Sequence, residues 1–187
     1  MRVVLMGPPG AGKGTQAVVV SERLGVPHVS TGDIFRANVA GGTPLGVEAK
    51  RYMDAGDYVP DSVTNAMVRD RLAQPDAAVG FLLDGYPRTV AQVDELAAML
   101  AEHGAALDHV VELTVDRDEL VARLVKRAAE QGRSDDSEDV IRRRQEVFAE
   151  QTAPLTALYE AQGLLVRVDG MGSVDEVTAR VLAALGV

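Results

Sequence analysis

The chain has 187 residues, 47% of them hydrophobic, enough to bury the core of one domain and too apolar for a disordered tail. It contains no cysteine, which excludes disulfides and Cys-based zinc sites, and its net charge of −9 argues against a nucleic-acid partner. The first apolar run, Val3 to Met6, is broken by Gly7 and Pro8 before it could act as a signal peptide or membrane span; no membrane partner is expected, and the expected location is the cytoplasm.

Arg2 to Met6 reads as a buried strand. Gly7-Pro8-Pro9-Gly10-Ala11-Gly12-Lys13-Gly14-Thr15 follows it, and a helical pattern runs from Thr15 to Leu24. Strand, glycine-rich turn and helix in that order are the context of a phosphate-binding loop. Glycines let successive backbone N–H groups face one concavity, the helix adds the positive end of its dipole, and Lys13 supplies a mobile ammonium. Gly14 follows the lysine where the common pattern has Ser or Thr. The hydroxyl arrives one residue later, at Thr15, so a direct magnesium role for it is not supported.

Pro27 to Ser30 reads as a second strand, followed by Ser30-Thr31-Gly32-Asp33 and Arg36. About fifty residues separate it from the next strand, more than one crossover helix needs. Gly41-Gly42-Thr43-Pro44 and Gly56 punctuate that stretch, which reads as a small helical insertion ahead of a helix at Ser62–Ala73. Phe81 to Asp84 is the third strand, between Gly80 and Gly85. A carboxylate there, beside a phosphate loop, suits an indirect contact to magnesium through its water shell. Gly85-Tyr86-Pro87-Arg88-Thr89 and then Gln92 lead into a helix at Thr89–Glu102. Arg36 and Arg88 thus lie on the same rim as the loop, where a second phosphate-bearing substrate needs cations.

His109 to Val115 is the fourth strand and Arg117 to Glu130 the next helix, on which Arg123 and Arg127 share a face. A polar stretch, Gln131 to Asp136, contains Arg133. The pattern then predicts one long helix, Glu138 to Gln162. Its Arg142, Arg143 and Arg144 cannot all face one site, and Arg143 reads as solvated. Leu164 to Val168 is the fifth strand, followed by Asp169-Gly170-Met171-Gly172 and a last helix, Val174–Leu185. His28, His103 and His109 read as ordinary structural residues. Aromatic residues make up 4% of the chain, with no tryptophan, and offer no hot spot for a large partner interface. The alternation implies an α/β fold with a five-stranded parallel sheet and ligands at the carboxyl ends of its strands.

Taken together, these motifs resemble the adenylate kinase family over essentially the whole chain. The resemblance implies a P-loop three-layer α/β fold. Its core is 1–29, 60–125 and 137–187, its AMP-binding insertion 30–59 and its short lid 126–136. It implies transfer of the terminal phosphoryl group of ATP to AMP, giving two ADP, with magnesium, by a monomer. The lid lacks the long metal-binding insertion of many bacterial relatives, so no structural zinc is expected. Residue by residue, the resemblance places Gly10, Ala11, Gly12, Lys13, Gly14 and Thr15 around the ATP phosphates and Gly172 at its adenine. It assigns AMP contacts to Thr31, Arg36, Asp57, Tyr58, Val59, Gly85, Tyr86, Pro87, Arg88 and Gln92, with a cis bond before Pro87. Arg123, Arg127, Arg133 and Arg144 become phosphate contacts, with Arg142 a second candidate beside Arg144. A kinase for another nucleoside monophosphate and a non-catalytic nucleotide sensor are the competing readings.

Overall fold

The computed structural model describes residues 1–131 and 137–187. Among these residues the chain forms a five-stranded sheet in the order β2-β3-β1-β4-β5, with every adjacent pair parallel. The strands are β1 (Arg2–Met6), β2 (His28–Ser30), β3 (Phe81–Asp84), β4 (His109–Thr114) and β5 (Leu165–Asp169). The helices are α1 (Lys13–Leu24), α2 (Thr31–Ala40), α3 (Pro44–Ala55), α4 (Asp61–Leu72), α5 (Val90–Ala101), α6 (Arg117–Gln131), α7 (Glu138–Val147), α8 (Leu155–Ala161) and α9 (Val174–Ala184).

Helices cover both faces of a parallel sheet, so its strands are apolar on both faces. Val4 and Met6 of β1 pack on one side with Phe81, Leu83, Val110 and Tyr86. Val3 and Leu5 pack on the other with Leu82, Val111, Leu113 and Val20. A third, small cluster of Phe35, Ala49 and Val59 holds the inserted helices α2 and α3 together. The stretch between β2 and β3 is thus helical, and Met67 of α4 packs against both this cluster and the main core.

Register decides where the functional residues emerge. Asp84 is level with Leu5 on one side and with Ser30 on the other, so the last residue of β3 stands at the carboxyl edge beside both neighbouring strands. The glycine-rich loop leaves β1 at this edge and α2 leaves β2 there. Element ends otherwise follow the sequence pattern to within one or two residues.

One element departs from it. The single helix expected from Glu138 to Gln162 is α7, then a π-helical turn at Phe148–Thr152, then α8. Pro154 has no N–H to continue the α ladder, and its ring crowds the carbonyl four residues earlier. The chain accommodates it with a wide turn, in which the Ala153 N–H donates to the Phe148 carbonyl. Substituting Leu82, which is fully buried, with alanine should lower unfolding free energy by about 2–5 kcal/mol, read by chemical denaturation.

Candidate active site

The loop before α1 is shaped by its glycines. Gly12 caps α1 with φ of 90°, a left-handed conformation that an L-residue avoids. Lys13 opens the helix and folds back, its Nζ donating to the carbonyls of Gly7 at 2.7 Å and Pro8 at 3.1 Å. Burial depresses the Lys13 pKa to about 8, with Arg88, Arg144 and Arg127 pushing the same way and Asp84 opposing. The ammonium is thus held in place by neutral dipoles while cations surround it, a niche that an anion would complete.

Asp84 faces this niche. A Cβ added at Gly14 would lie 3.6 Å from its Oδ2, so the loop passes close over the carboxylate. Burial alone would raise its pKa, but His28, Lys13 and Arg88 outweigh that and hold it below the usual carboxylate range. His28 Nε2 lies 3.9 Å from Asp84 Oδ2 and has no hydrogen-bond partner. This histidine therefore lines the cleft floor beside the acid, which its sequence position did not reveal. An ionised carboxylate behind a phosphate loop fits a magnesium ion carried in with a nucleotide, held through water. Among the described residues no group of three or more His, Asp or Glu is placed to hold a metal ion.

Two cavities meet at the sheet edge. The first is a cleft lined by the loop residues Gly10 to Thr15, by Arg123 and Arg127 on α6, and by Gly172. The second lies between the insertion and the turn after β3, lined by Thr31, Asp57, Tyr58, Val59 and Gln92. Gly32, Arg36, Gly85, Arg88 and Arg144 line both.

The turn after β3 is tightly specified. Gly85 has φ of 83°, and a Cβ there would meet Thr31 Oγ1 at 2.7 Å and Arg88 Nη2 at 2.9 Å. Its carbonyl instead accepts from Thr31 Oγ1 at 3.0 Å and from Arg88 Nε at 2.7 Å. The Tyr86–Pro87 bond is cis. Tyr86 points inward, its ring 1% exposed and its hydroxyl donating to Asn65 Oδ1 at 2.9 Å; its side chain anchors the turn.

Gln92 accepts from the Arg88 N–H at 2.7 Å and donates to Asp61 Oδ1 at 2.7 Å. One N–H and one lone pair of its amide remain for a ligand. Asp61 also accepts from Thr89 Oγ1 at 2.8 Å, and Thr89 caps α5. Sequence reasoning had no signal for Asp61, which lies 31 positions away from Gln92.

The arginines divide. Arg36 Nη2 pairs with Asp33 Oδ1 at 2.6 Å. Arg123 donates to Glu119 at 2.7 Å and to the Gly170 carbonyl at 3.0 Å, tying α6 to the loop after β5 on the cleft wall. Arg127 and Arg144 face the cleft, while Arg142 pairs with Glu138 on the surface. Arg143 is exposed, as its solvated reading expects, and its Nε also donates to Asp57 Oδ1 at 2.8 Å. The Asp57 carboxylate is therefore turned to α7. Gln145 on the same helix donates to the Pro9 carbonyl at 3.1 Å, so α7 touches both the phosphate loop and the insertion. Of the expected lid, Lys126 to Gln131 continue α6; Arg133 lies outside the described residues.

A parallel α/β sheet with a glycine-rich loop at β1–α1 and paired anion cavities on its carboxyl edge defines a P-loop nucleotide phosphotransferase. The family model for adenylate kinase matches residues 5–164. The chain is 65% identical over 187 residues to an adenylate kinase of Nocardioides sp., covering all of this chain and 98% of that one. It is 65% identical over 184 residues to an adenylate kinase of Kocuria rhizophila, covering 98% of each, and 60% identical over 185 residues to one of Thermobifida fusca, covering 99% and 98%. The chain belongs to the adenylate kinase family.

Phosphates beside Lys13 favour its charged form and raise its pKa from about 8. Nucleotide binding between pH 8 and 9 should therefore take up protons, and the uptake should shrink towards pH 7, where the free ammonium is already protonated. Calorimetry of ATP binding in buffers of different ionisation enthalpy measures this. Uptake unchanged in Lys13→Gln would refute the assignment.

Proposed function

We propose that the chain moves the terminal phosphoryl group of ATP to AMP, reversibly, giving two ADP, with ATP in the cleft over the glycine-rich loop and AMP in the cavity beneath the insertion. One observation carries this division: the two cavities share a wall containing Arg36, Arg88 and Arg144. A site for one nucleotide needs a single set of phosphate cations. A wall of guanidinium groups between two cavities is suited to two phosphate chains meeting end to end.

Charge dictates the chemistry. The attacking and leaving oxygens must align while negative charge spreads over the transferred group, and little covalent work is left for the protein. The N–H groups from Gly10 to Thr15 and the Lys13 ammonium cradle the outer phosphates of ATP. Arg123, Arg127 and Arg133 flank them, and Gly172 lies at the adenine. Arg36 and Arg88 hold the AMP phosphate, with Arg144 between the two substrates. Thr31, Gly85 to Arg88 and the backbone of Asp57 to Val59 frame AMP. The remaining N–H and lone pair of Gln92 match the donor–acceptor edge of adenine. Magnesium, when bound with ATP, neutralises phosphate charge, and Asp84 would hold it through water. The protein supplies orientation and preorganised positive charge, with no nucleophile of its own.

Transfer without hydrolysis needs water excluded. Residues 30–59 and 126–136 are the segments that close, the first over AMP and the second over ATP. The same reading makes the enzyme a cytoplasmic monomer that needs no structural zinc. Among the described residues, no helix is long and apolar enough to cross a membrane.

ADP formation from ATP and each nucleoside monophosphate in turn tests the reading. AMP should be the preferred acceptor, and Arg88→Ala should cut kcat/KM for AMP by about 10- to 100-fold, the value of a charge-assisted hydrogen bond to phosphate. Preference for another monophosphate would make the chain a kinase for that base. ATP binding without turnover would make it a sensor.

A further inference from the structure

The π-helical turn at Phe148–Thr152 lies far along the chain from the motifs that mark the site, yet it reaches the site's centre. Thr152 is 5% exposed. Its hydroxyl donates to the Arg88 carbonyl at 2.9 Å and lies 2.7 Å from the Tyr58 hydroxyl. A threonine has one O–H, and here it is committed to Arg88, so Tyr58 is the donor in the second bond. Tyr58 in turn lies under Arg88, whose guanidinium carbon is 4.9 Å from the ring centroid.

We infer that Thr152 is a positioning residue, which fixes Arg88 and Tyr58 relative to one another and so sets the phosphate end of the acceptor cavity. Arg88 is held at both ends of its backbone, its N–H by Gln92 and its carbonyl by Thr152. Its side chain is held by the Gly85 carbonyl and the Tyr58 ring. The Thr152 side chain joins three separate pieces of the fold: the insertion, the turn after β3 and the α7–α8 connection. The wide turn forced by Pro154 re-aims the backbone locally, as π turns at functional sites do. On an unbroken α ladder, residue 152 would lie at a different angle about the helix axis.

The inference rests on the acceptor-phosphate role of Arg88, and steady-state kinetics of four single variants and one double variant separate the two. Thr152→Val keeps the shape but strips the Arg88 carbonyl and the Tyr58 hydroxyl of their partner. It should lower kcat/KM for AMP by about tenfold, as expected for two part-buried polar groups left without their partner, and leave KM for ATP unchanged. Thr152→Ser should restore most of the loss. Tyr58→Phe keeps the ring under Arg88 and should show a smaller AMP defect, which disappears when Thr152 is already valine.

Equal shifts in the AMP and ATP constants, no rescue by serine, or independent addition of the Tyr58→Phe effect would overturn the inference. If Thr152→Val does not fold, Thr152→Ser and Tyr58→Phe still decide it: a normal AMP constant in Tyr58→Phe overturns it. Arg88→Ala completes the set. Unaltered AMP constants in that variant would overturn the Arg88 role and the inference with it. A large Arg88→Ala defect beside a silent Thr152→Val overturns the inference alone.

Discussion

Like-charge repulsion is the constraint that the rest of the structure answers to. Burial lowers the Lys13 pKa, and Arg88, Arg144 and Arg127 are close enough to lower it further, against the opposing Asp84. Such a cluster is unfavourable before its anions arrive. The protein holds it by giving its cations fixed protein acceptors: the carbonyls of Gly7 and Pro8 for Lys13, the Gly85 carbonyl for Arg88, and Asp33 for Arg36. These partners are neutral or singly charged, and a phosphate can displace or supplement them. The same arrangement explains how a chain of net charge −9 accepts two polyanions. Most of its negative charge is elsewhere, and lysines and arginines outnumber Asp33, Asp84 and Glu130 along the cleft, so the carboxyl edge of the sheet is locally positive.

The fold places that cluster at one height. All five strands run in the same direction, so the loops after β1, β2, β3 and β5 emerge together. The loop chemistry then differs by position. After β1 the chain curls into donors, after β2 and β3 it offers arginine and threonine, and after β5 it makes a glycine turn against α6. The helical insertion adds a wall that the sheet alone could not provide, with Val59 both in its small core and on the acceptor cavity.

Much of this was legible in the sequence because it is local. Apolar runs bounded by glycine identified the strands, and the loop motif pointed to the family to which the chain belongs. Spacing between β2 and β3 revealed the insertion. What was not legible depends on contacts between distant segments. Asp61 supports Gln92 across 31 positions, Arg143 meets Asp57 across 86, and Tyr58 meets Thr152 across 94. No periodicity encodes such pairs. Arg143 is exposed as its place between two site candidates implied, but its partner Asp57 lies too far along the chain to be read. The proline at 154 was a visible signal of a broken helix, and the uniform helical pattern around it masked that signal.

The contact between α7 and the insertion has a consequence for how the protein responds to its medium. Arg143 and Asp57 are both more than two-fifths exposed, with side-chain accessibilities of 44% and 42%. An ion pair so open to water is weak, and dissolved salt screens it. Another contact of α7, from Gln145 to the Pro9 carbonyl, involves no net charge and is largely indifferent to salt. One helix is therefore fastened to the phosphate loop by a bond that ionic strength leaves alone and to the insertion by one that ionic strength loosens. Electrolyte concentration thus weakens one tie between α7 and the insertion and leaves the bond from α7 to the phosphate loop unchanged.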